Sequence, residues 1–498
     1  MRILCLLLIW QTTITALGKT IAVGLGGDFA TLEAAESSII AGDTVLLLDG
    51  VFSDGTQFLT QLNGTVNAPI VIRAQSSHGA IFQGGTEAIH LVNCSFIELN
   101  GLVIQQQTGN GINIDDGGDY TTPTHHISIV NCIFQNMSGS GNNDLLKLSG
   151  LDDFLIKNCA FINGSPGGSG IDMVGCHQGI IEDNFFDQAG TSGIQAKGGT
   201  RFIRIQRNTF KDIAQRAINL GGSTGLQFFR PPLPDPITDA FEAADLEVFS
   251  NVFIRSWSPL AFVGCVRVQV VNNTFYQPEN WVLRILQETT EPGFLPCGDN
   301  QFQNNIVLLS HDITEVNIGP DTDATSFTFT NNLWYNQSDD NWSPLLPVLD
   351  SNQVIGNPMF LDAANADFSI PNSSPAVLAG KKFPNPTHDF AQHSFYDPPS
   401  IGAYEGHESI TASEYLVQDN HIIIGPNPTE NTIVIDGDFK HADIQVLDHN
   451  YMLVDDLSLS ATPVTIDLNG LPNGLYFIRI KSSLHAAMEV VRVIKMGQ

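Results

Sequence analysis

Apolar and polar residues alternate in short runs through the middle of the chain, and the runs recur. Between residues 90 and 335, alternating apolar residues are repeatedly followed by an asparagine, one or two further residues and a large hydrophobe. The asparagines are Asn131, Asn158, Asn184, Asn208, Asn251, Asn273, Asn305 and Asn332. A unit that recurs about every 25 residues is the sign of a solenoid, and alternation with period two indicates strands within each unit. The pattern predicts an all-β fold, a right-handed parallel β-helix solenoid in which the asparagine side chains stack.

The segments before this array predict an exported chain with a capped solenoid. Arg2 precedes an apolar run that ends at Trp10, and a small-residue pattern follows, so residues 1–18 are expected to be a signal peptide. Residues 30–41 have apolar positions at helical spacing, which predicts an N-terminal capping helix before a strand over 44–48. We expect the β-helix domain to span residues 19–406. No later apolar run is long enough to cross a membrane.

The last part of the chain changes character. Residues 407–419 are expected to form a linker, and residues 420–498 contain alternating strands divided by Pro-Asn, Asp-Gly and Asn-Gly turns. This pattern predicts a small C-terminal β-sandwich. The motifs Pro426-Asn427-Pro428-Thr429 and Leu471-Pro472-Asn473-Gly474-Leu475-Tyr476 resemble those of the sorting domain of type IX secretion substrates. The resemblance implies recognition by the type IX machinery and export through the outer membrane, followed by release or attachment at the cell surface.

Charge and cysteine content exclude several classes of protein. The chain has 22 Lys and Arg against 52 Asp and Glu, a formal net charge of −30. Nucleic acid is not an expected partner, because few cations are available to neutralise phosphates. The cysteines after the signal segment lack the spacing of a zinc site or a small disulfide scaffold, so we expect them to pack in the core. We expect a monomer.

Aligning the strands of successive coils places polar side chains in two outward columns. If the residue that precedes each column member points inward, the column members themselves point outward. The first column is then Asn113, Lys147, Asp172, Gln195, Asn219, Ala261 and Arg284. The second column is Asp115, Ser149, Val174, Lys197, Gly221, Val263 and Leu286. Strands in a sheet lie about 4.8 Å apart, so the columns have nearly the pitch of sugar rings. Two long excursions, 221–241 and 288–299, interrupt the array nearby, and long loops on a rigid scaffold often carry function.

The chemistry that this strip suits best is β-elimination on an acidic polysaccharide. The reaction removes the C5 proton of a uronic acid and expels the 4-linked sugar, so it needs a base, a cation and a proton donor. We assign Lys197 as the base, Arg216 or Arg284 as the cation, and His177 as a reserve acid–base group. Substrate binding is assigned to Lys147, Asp172, Gln195, Asn219, Phe229 and Arg230. A Ca²⁺ ion bound by Asp115 and Asp172 could assist in neutralising the uronate.

The stretches LNGTVNAPIVIRAQ and GIQAKGGTRFIRIQRNTF resemble β-helix polysaccharide lyases of the chondroitinase B and alginate lyase family. The later stretches SSPAVLAG and SIGAYEG resemble closing segments of secreted bacterial β-helix proteins. In the lyase family a strand lysine acts as base and a later arginine assists. Lys197 matches the lysine. Gly221 or its neighbour stands where the arginine is expected, a departure from the family that requires Arg216 or Arg284 to substitute.

Two other functions remain open on the sequence. Asp115 and Asp172 lie two rungs apart, about 9.6 Å at the strand spacing, which is near the upper limit for the carboxylates of an inverting glycoside hydrolase. A surface glycan-binding protein or adhesin without catalytic activity is equally compatible with the sorting tail. The expected partner in each case is an extracellular polysaccharide.

Overall fold

The computed structural model describes residues 18–121, 123–339 and 341–406, and parts of the segment 416–495. The described parts of that last segment are 416–418, 422–425, 429, 431–437, 442–447, 453–459, 463–471, 474–482 and 488–495. Residues 1–17 of the predicted signal peptide and most of the predicted linker lie outside the described residues. The chain forms two compact units. The first contains the residues up to Arg204, Ile213–Ala244 and Glu288–Phe294, and the second contains Ile205–Asp212, Asp245–Gln287 and the residues from Leu295 onward.

The first unit consists of coils that each add one strand to each of three parallel sheets. The first sheet contains Thr20–Val23, Thr44–Leu47, Ile70–Ala74, Ser95–Asn100, Thr124–Val130, Leu151–Lys157 and His177–Glu182, with Ala243–Ala244 paired to the start of Thr200–Gln206. The second sheet contains Gly50–Phe52, Ala80–Gln83, Val103–Gln105, Ile133–Gln135, Ala160–Ile162 and Phe185–Asp187. The third sheet contains Gln57–Thr60, Ile89–Val92, Ile112–Asp115, Leu146–Ser149, Ser169–Val174, Ser192–Lys197 and Arg216–Gly221. The predicted parallel β-helix is confirmed.

The N-terminal cap is shorter than the pattern predicted. An α-helix spans Leu32–Ala35 and continues as a 3₁₀ helix over Glu36–Ser38. It begins at Thr31, whose hydroxyl accepts a hydrogen bond from the amide of Ala34 at 3.2 Å. It ends early because Ile39 is extended and the amide of Ile40 donates to the carboxylate of Asp43 at 3.0 Å.

The second unit repeats the three-sheet arrangement. Its first sheet contains Glu247–Phe249, Gln269–Val271, Gln301–Gln303, Thr328–Thr330 and Asp350–Ser351, with Cys265–Val266 beside it. Its second sheet contains Thr209–Lys211, Val252–Ile254, Thr274–Tyr276, Ile306–Leu309, Leu333–Asn336 and Val354–Ile355. Its third sheet contains Ser258–Val263, Trp281–Leu286 and Thr314–Ile318. Further 3₁₀ helices span Ala324–Ser326 and Ala363–Asn365 here, and Leu226–Phe228 in the first unit.

Identical residue types stack inside the coils. In the first unit the rings of Phe134, Phe161 and Phe186 lie in register, with centroids 4.9 and 4.7 Å apart. The second unit has a similar stack in its own interior. Near the end of the second unit, Phe368 and Tyr404 pack on the second sheet and cover apolar side chains that would otherwise face water. The core is therefore a set of apolar columns along each unit.

The predicted asparagine stack exists, but its first two members were placed one residue out of register. In the second unit, the buried side chains of Asn208, Asn251, Asn273, Asn305 and Asn332 donate from one amide to the next along the ladder. Asn131 and Asn158 instead have φ of 56° and 53° and occupy the preceding turn position. Cys132 and Cys159 take the interior position, and the amide of Cys159 donates to Asn184 Oδ1 at 2.8 Å. The interior position at this turn accepts either a buried thiol or a buried carboxamide, because each packs against the equivalent side chains of the coils above and below.

The cysteines and the C-terminal segment agree with the sequence analysis. The six described cysteines are free and buried, as expected for packing residues. In the C-terminal segment one antiparallel sheet contains Leu416–Gln418, Ile422–Gly425, Thr432–Gly437 and Val464–Asp467, and another contains Ala442–Leu447, Leu453–Leu459, Gly474–Ser482 and Met488–Lys495. The strand Leu416–Gln418 lies inside the segment predicted to be a linker. Among the described residues, no helix is long and apolar enough to span a membrane.

Candidate active site

The third sheet of the first unit carries a continuous column of outward side chains, which we call the outer column. The register pairs Asn113 with Lys147, Lys147 with Asp172, Asp172 with Gln195, and Gln195 with Asn219. The residues before them, Ile112, Leu146, Ile171, Ile194 and Ile218, are fully buried. The inward and outward assignment made from the alternation is therefore correct in this unit. The register also continues to strands that the sequence alignment did not include, adding His90 and Phe58.

Two lysines converge on one carboxylate in this column. Lys147 donates a hydrogen bond to Oδ2 of Asp172, and Nζ of Lys197 lies 3.5 Å from Oδ1 of the same carboxylate. Lys197 belongs to the second column, where it is in register with Val174, so it reaches Asp172 diagonally across one rung. The side chain of Asp172 is 1% exposed, whereas those of Lys147 and Lys197 are 22% and 16% exposed. The exposed groups at this point are therefore the two lysine side chains, with the carboxylate buried beneath them.

A second carboxyl group, that of Asp144, completes the cluster. Its Oδ2 lies 3.8 Å from Nζ of Lys147, and its Oδ1 accepts a hydrogen bond from the amide of Ser169 at 2.8 Å. Burial and the nearby carboxylate of Asp172 raise the pKa of Asp144 to about 6, against the opposing effect of Lys147. Burial lowers the pKa of Lys147, but the charges of Asp172 and Asp144 outweigh it and the net shift is upward. Lys147 is thus kept as an ammonium ion.

The backbone beside Lys197 leaves room above its side chain. Gly222 has φ of 156°, and a Cβ atom there would lie 3.3 Å from Cδ of Lys197 and 3.0 Å from Nε2 of Gln195. A side chain at this position would crowd both groups, so the glycine keeps them accessible. The loop that follows is fixed by Glu242, a fully buried carboxylate. It accepts hydrogen bonds from the amide of Gly198 at 3.0 Å, from Thr224 and from the hydroxyl of Thr289.

Arg216 and Asn219 lie on the strand next to Gln195. Nη1 of Arg216 donates to Oδ1 of Asn219 at 3.0 Å, and Nη2 lies 3.6 Å from Glu288. Asn219 is 3% exposed and also donates to the carbonyl of Gly221. Arg216, at 17% exposure, orders this end of the column.

His177 and Arg230 form a separate cluster and do not join the lysines. Arg230 makes a bidentate pair with Asp152 at 2.6 and 2.8 Å, and its Nη1 lies 3.0 Å from Nδ1 of His177. Burial opposes ionisation of Asp152, but its hydrogen bonds with Arg230 and His177 prevail and hold its pKa below the usual range. His177 also lies 3.2 Å from Asp152 and 3.3 Å from the carbonyl of Gly199. These contacts give both residues a role in joining the long loop to the first sheet.

Two further predicted residues lie elsewhere. Phe229 is 5% exposed and packs edge-on against Phe294 with centroids 5.4 Å apart, so it supports the loop from beneath, whereas the neighbouring Phe228 is exposed. Arg284 belongs to the second unit. There its guanidinium lies 4.9 Å from the centroid of the Trp281 ring, and its register partners are Ala261 and Asn317.

The two carboxylates predicted to bind Ca²⁺ have cationic partners from the protein itself. Asp172 contacts two ammonium groups, and Oδ2 of Asp115 lies 2.6 Å from Nε2 of His90. In the part of the chain that the structure describes, no group of three or more His, Cys, Asp or Glu residues is placed to hold a metal ion. These surroundings do not suit a divalent cation, so no step of the chemistry below uses one.

His90 is a functional candidate that the sequence analysis did not select. Its Nδ1 lies 3.0 Å from Glu87 and its Nε2 lies 2.6 Å from Asp115. The hydrogen bonds to Asp115 and Glu87 raise the pKa of His90 to about 9, so it is an imidazolium at neutral pH. The alternation of Ile89, His90 and Leu91 could have identified it. His90 stands between two inward-facing apolar residues, as the other members of the outer column do. Asp144 could have been found as an acid at an inward position.

Comparisons with known proteins agree with the two structural parts. Residues 70–230 match the family model of the right handed beta helix region, and residues 424–495 match that of the secretion system C-terminal sorting domain. The sorting domain indicates export through type IX secretion, with release or attachment at the cell surface. No curated protein sequence matches the chain.

Several solved structures are similar to this chain at low sequence identity. An alginate lyase from Paenibacillus sp. str. FPU-7 is 15% identical with a TM-score of 0.43, covering 64% of this chain and 97% of that one. A pectate lyase is 15% identical with a TM-score of 0.46, covering 79% and 97%. A lacto-N-biosidase from Eubacterium ramulus is 15% identical with a TM-score of 0.39, covering 68% and 67%.

Proposed function

We propose that this exported protein is a polysaccharide lyase that cleaves an acidic polysaccharide by β-elimination, with Lys197 as the base. The observation that carries the proposal is the convergence of Lys147 and Lys197 on Asp172 in the outer column. One strip therefore offers a cation for a uronate and an amine next to it. The surrounding sheet is rigid, so both groups are already in place before substrate binds.

The two lysines differ in how strongly they are engaged. Lys147 hydrogen-bonds to Asp172 and also faces Asp144, whereas Lys197 makes one contact at 3.5 Å. Lys147 remains charged and is suited to neutralise the uronate carboxylate, which makes the C5 proton more acidic. Lys197 is the less strongly engaged of the two amines, which favours it over Lys147 as the base.

The reaction then needs no further reagent. Neutral Lys197 takes the proton from C5, the electron pair forms the C4–C5 double bond, and the C4–O4 bond breaks. The ammonium form of Lys197 returns a proton to the leaving O4 atom. We assign Gln195, in register with Asp172, to bind sugar hydroxyls.

A direct assay distinguishes this proposal from its alternatives. The full chain is incubated separately with alginate, polygalacturonate, glycosaminoglycans and neutral glycans. A lyase produces unsaturated ends that absorb in the ultraviolet, a glycoside hydrolase produces reducing ends without that absorbance, and an adhesin produces neither. Reducing ends alone, or binding without cleavage, would overturn the proposal.

A further inference from the structure

The outer column begins with an exposed aromatic ring. Phe58 lies on the first strand of the third sheet, is 47% exposed, and is in register with His90. Its ring lies over the imidazole with centroids 5.2 Å apart and an interplanar angle of 31°. The Phe58 ring thus contacts the imidazole in a tilted arrangement, and about half of its side chain is open to solvent.

Polar groups border this ring on the next rungs. Glu87 and Asp115 contact opposite nitrogens of His90, with side chains 15% and 22% exposed, and the amide nitrogen of Asn113 lies 3.2 Å from Nε2 of His90. The carboxylate oxygens retain lone pairs for further donors. An exposed aromatic face beside carboxylate and carboxamide groups suits a sugar ring, which has one apolar face and hydroxyl groups at its edge.

The charge around Phe58 differs from that around Lys147. Two partly exposed carboxylates flank one imidazolium here, so the local sum is negative. At Lys147 the carboxylates of Asp172 and Asp144 are buried, and the exposed groups are the two lysine side chains. A uronate would be repelled at the first place and attracted at the second. Three rungs separate Phe58 from Lys147, which is about 14 Å at the strand spacing and corresponds to a few sugar rings.

From these contacts we infer that Phe58, Glu87, Asp115 and Asn113 form a distal subsite for a neutral sugar ring of the same glycan chain. The natural substrate is then a heteropolysaccharide that combines uronate with neutral sugars. The second statement rests on the proposed function, whereas the subsite itself can be tested without catalysis.

The test uses the full chain and uncharged probes. Binding of β-linked neutral hexasaccharides, namely cellohexaose and mannohexaose, is measured by saturation-transfer NMR, with oligogalacturonate of equal length as the charged comparison. We expect at least one neutral hexasaccharide to bind, with a three- to tenfold loss in Phe58→Ala, the scale expected for one aromatic contact. Phe202→Ala is the matched control, since Phe202 is 50% exposed and lies on the first sheet.

The outcomes separate the subsite from the catalytic proposal. Lys197→Ala should bind the neutral probes as the unmodified protein does. Absence of neutral binding, or equal binding by Phe58→Ala, would overturn the subsite. Failure to form unsaturated products from any acidic glycan would overturn the lyase proposal, whatever the hexasaccharides do.

If unsaturated products form, Phe58→Ala should raise KM and leave kcat unchanged on gellan, whose repeat combines glucuronate with neutral sugars. Equal KM values there would refute the heteropolysaccharide substrate.

Discussion

Nζ of Lys197 lies 3.5 Å from Oδ1 of Asp172, although the two residues belong to different columns of the sheet. The contact exists because strands of adjacent coils are in register and both side chains leave the same face. Lys147 approaches the other oxygen of the carboxylate, so a single buried acid orders two cationic groups. This relationship gives the most direct test of the mechanism.

Replacing Lys197 by alanine should lower kcat by about 100- to 10,000-fold, the usual contribution of a general base. The rate of appearance of unsaturated product measures the effect, and circular dichroism checks the fold. Lys157→Ala is the matched control, because Lys157 also pairs with a carboxylate, that of Glu182 at 2.8 Å, but on the first sheet. A Lys197→Ala enzyme as fast as the control would remove the base from the mechanism.

Asp144 should make stability depend on pH. Its folded-state pKa of about 6 exceeds the ordinary value of 3.8, so the folded protein binds the proton more tightly than the unfolded chain. Stability contributed by this proton is complete below about pH 4 and is lost as the pH rises through 6, a decrease of about 1–3 kcal/mol. Urea unfolding from pH 3.5 to 7.5 should show this decrease in the unmodified protein and a flatter profile in Asp144→Asn. A profile that the substitution leaves unchanged would contradict the assignment.

The imidazole of His90 should titrate unusually late. Its pKa of about 9 lies above the ordinary 6.5, so the stability from its two ion pairs is complete below pH 6.5 and is lost as the pH rises through 9. Asp115→Asn should shift the titration toward neutrality because it removes the largest cause of the elevation. Histidine NMR chemical shifts measure this, with the exposed Asp119→Asn as control. Titration of His90 near 6.5 in the unmodified protein would disprove the charge arrangement inferred around Phe58.

The long loop beside Lys197 should loosen when Glu242 is changed. Glu242→Gln replaces one carboxylate oxygen with an NH₂ group, so two of the four hydrogen bonds donated by Gly198, Thr224 and Thr289 lose their acceptor. We expect a loss of about 1–3 kcal/mol in the free energy of unfolding, with faster hydrogen exchange of the Gly198 and Thr224 amides. Glu279→Gln, at an exposed position, should leave exchange unchanged. Unaltered exchange in Glu242→Gln would mean that other contacts fix the loop.

The asparagine ladder should contribute measurably at each rung. Asn273→Ala removes the acceptor for Asn251 and the donor to Asn305, leaving buried polar groups unpaired. The free energy of unfolding should fall by about 1–3 kcal/mol for each group left unsatisfied. Thermal and urea unfolding measure the change, and the exposed Asn142→Ala should be neutral. Equal stability of the two variants would refute the ladder's energetic role.

The alternation of residues was sufficient to predict the fold and the outer column. Strict alternation around Ile112, Leu146 and Ile171 determines which neighbours face outward, and aligning these apolar positions gives the register although the coils differ in length. The same rule would have included Phe58 and His90 if the alignment had begun two coils earlier. These features depend on local periodicity, which is readable from a single sequence.

The loop contacts could not be predicted in the same way. Arg230 pairs with Asp152, 78 residues away in the chain, because the path of an irregular loop carries it there. No periodic pattern specifies that path, so the guanidinium was assigned to the substrate instead. Similarly, the one-residue offset between Asn158 and Asn184 depends on which of two adjacent positions has a left-handed backbone. The interior position holds a cysteine in one coil and an asparagine in the next, so residue type alone did not reveal the one-residue offset.

Because each coil contributes one residue to the outer column, its length is set by the number of coils and its specificity by one side chain per coil. Duplication or deletion of a whole coil would extend or shorten the column by one position while leaving the neighbouring pairs intact. Evolution can therefore tune how many units of a polymer are recognised without rebuilding the scaffold, and a protein engineer could do the same by transplanting single coils.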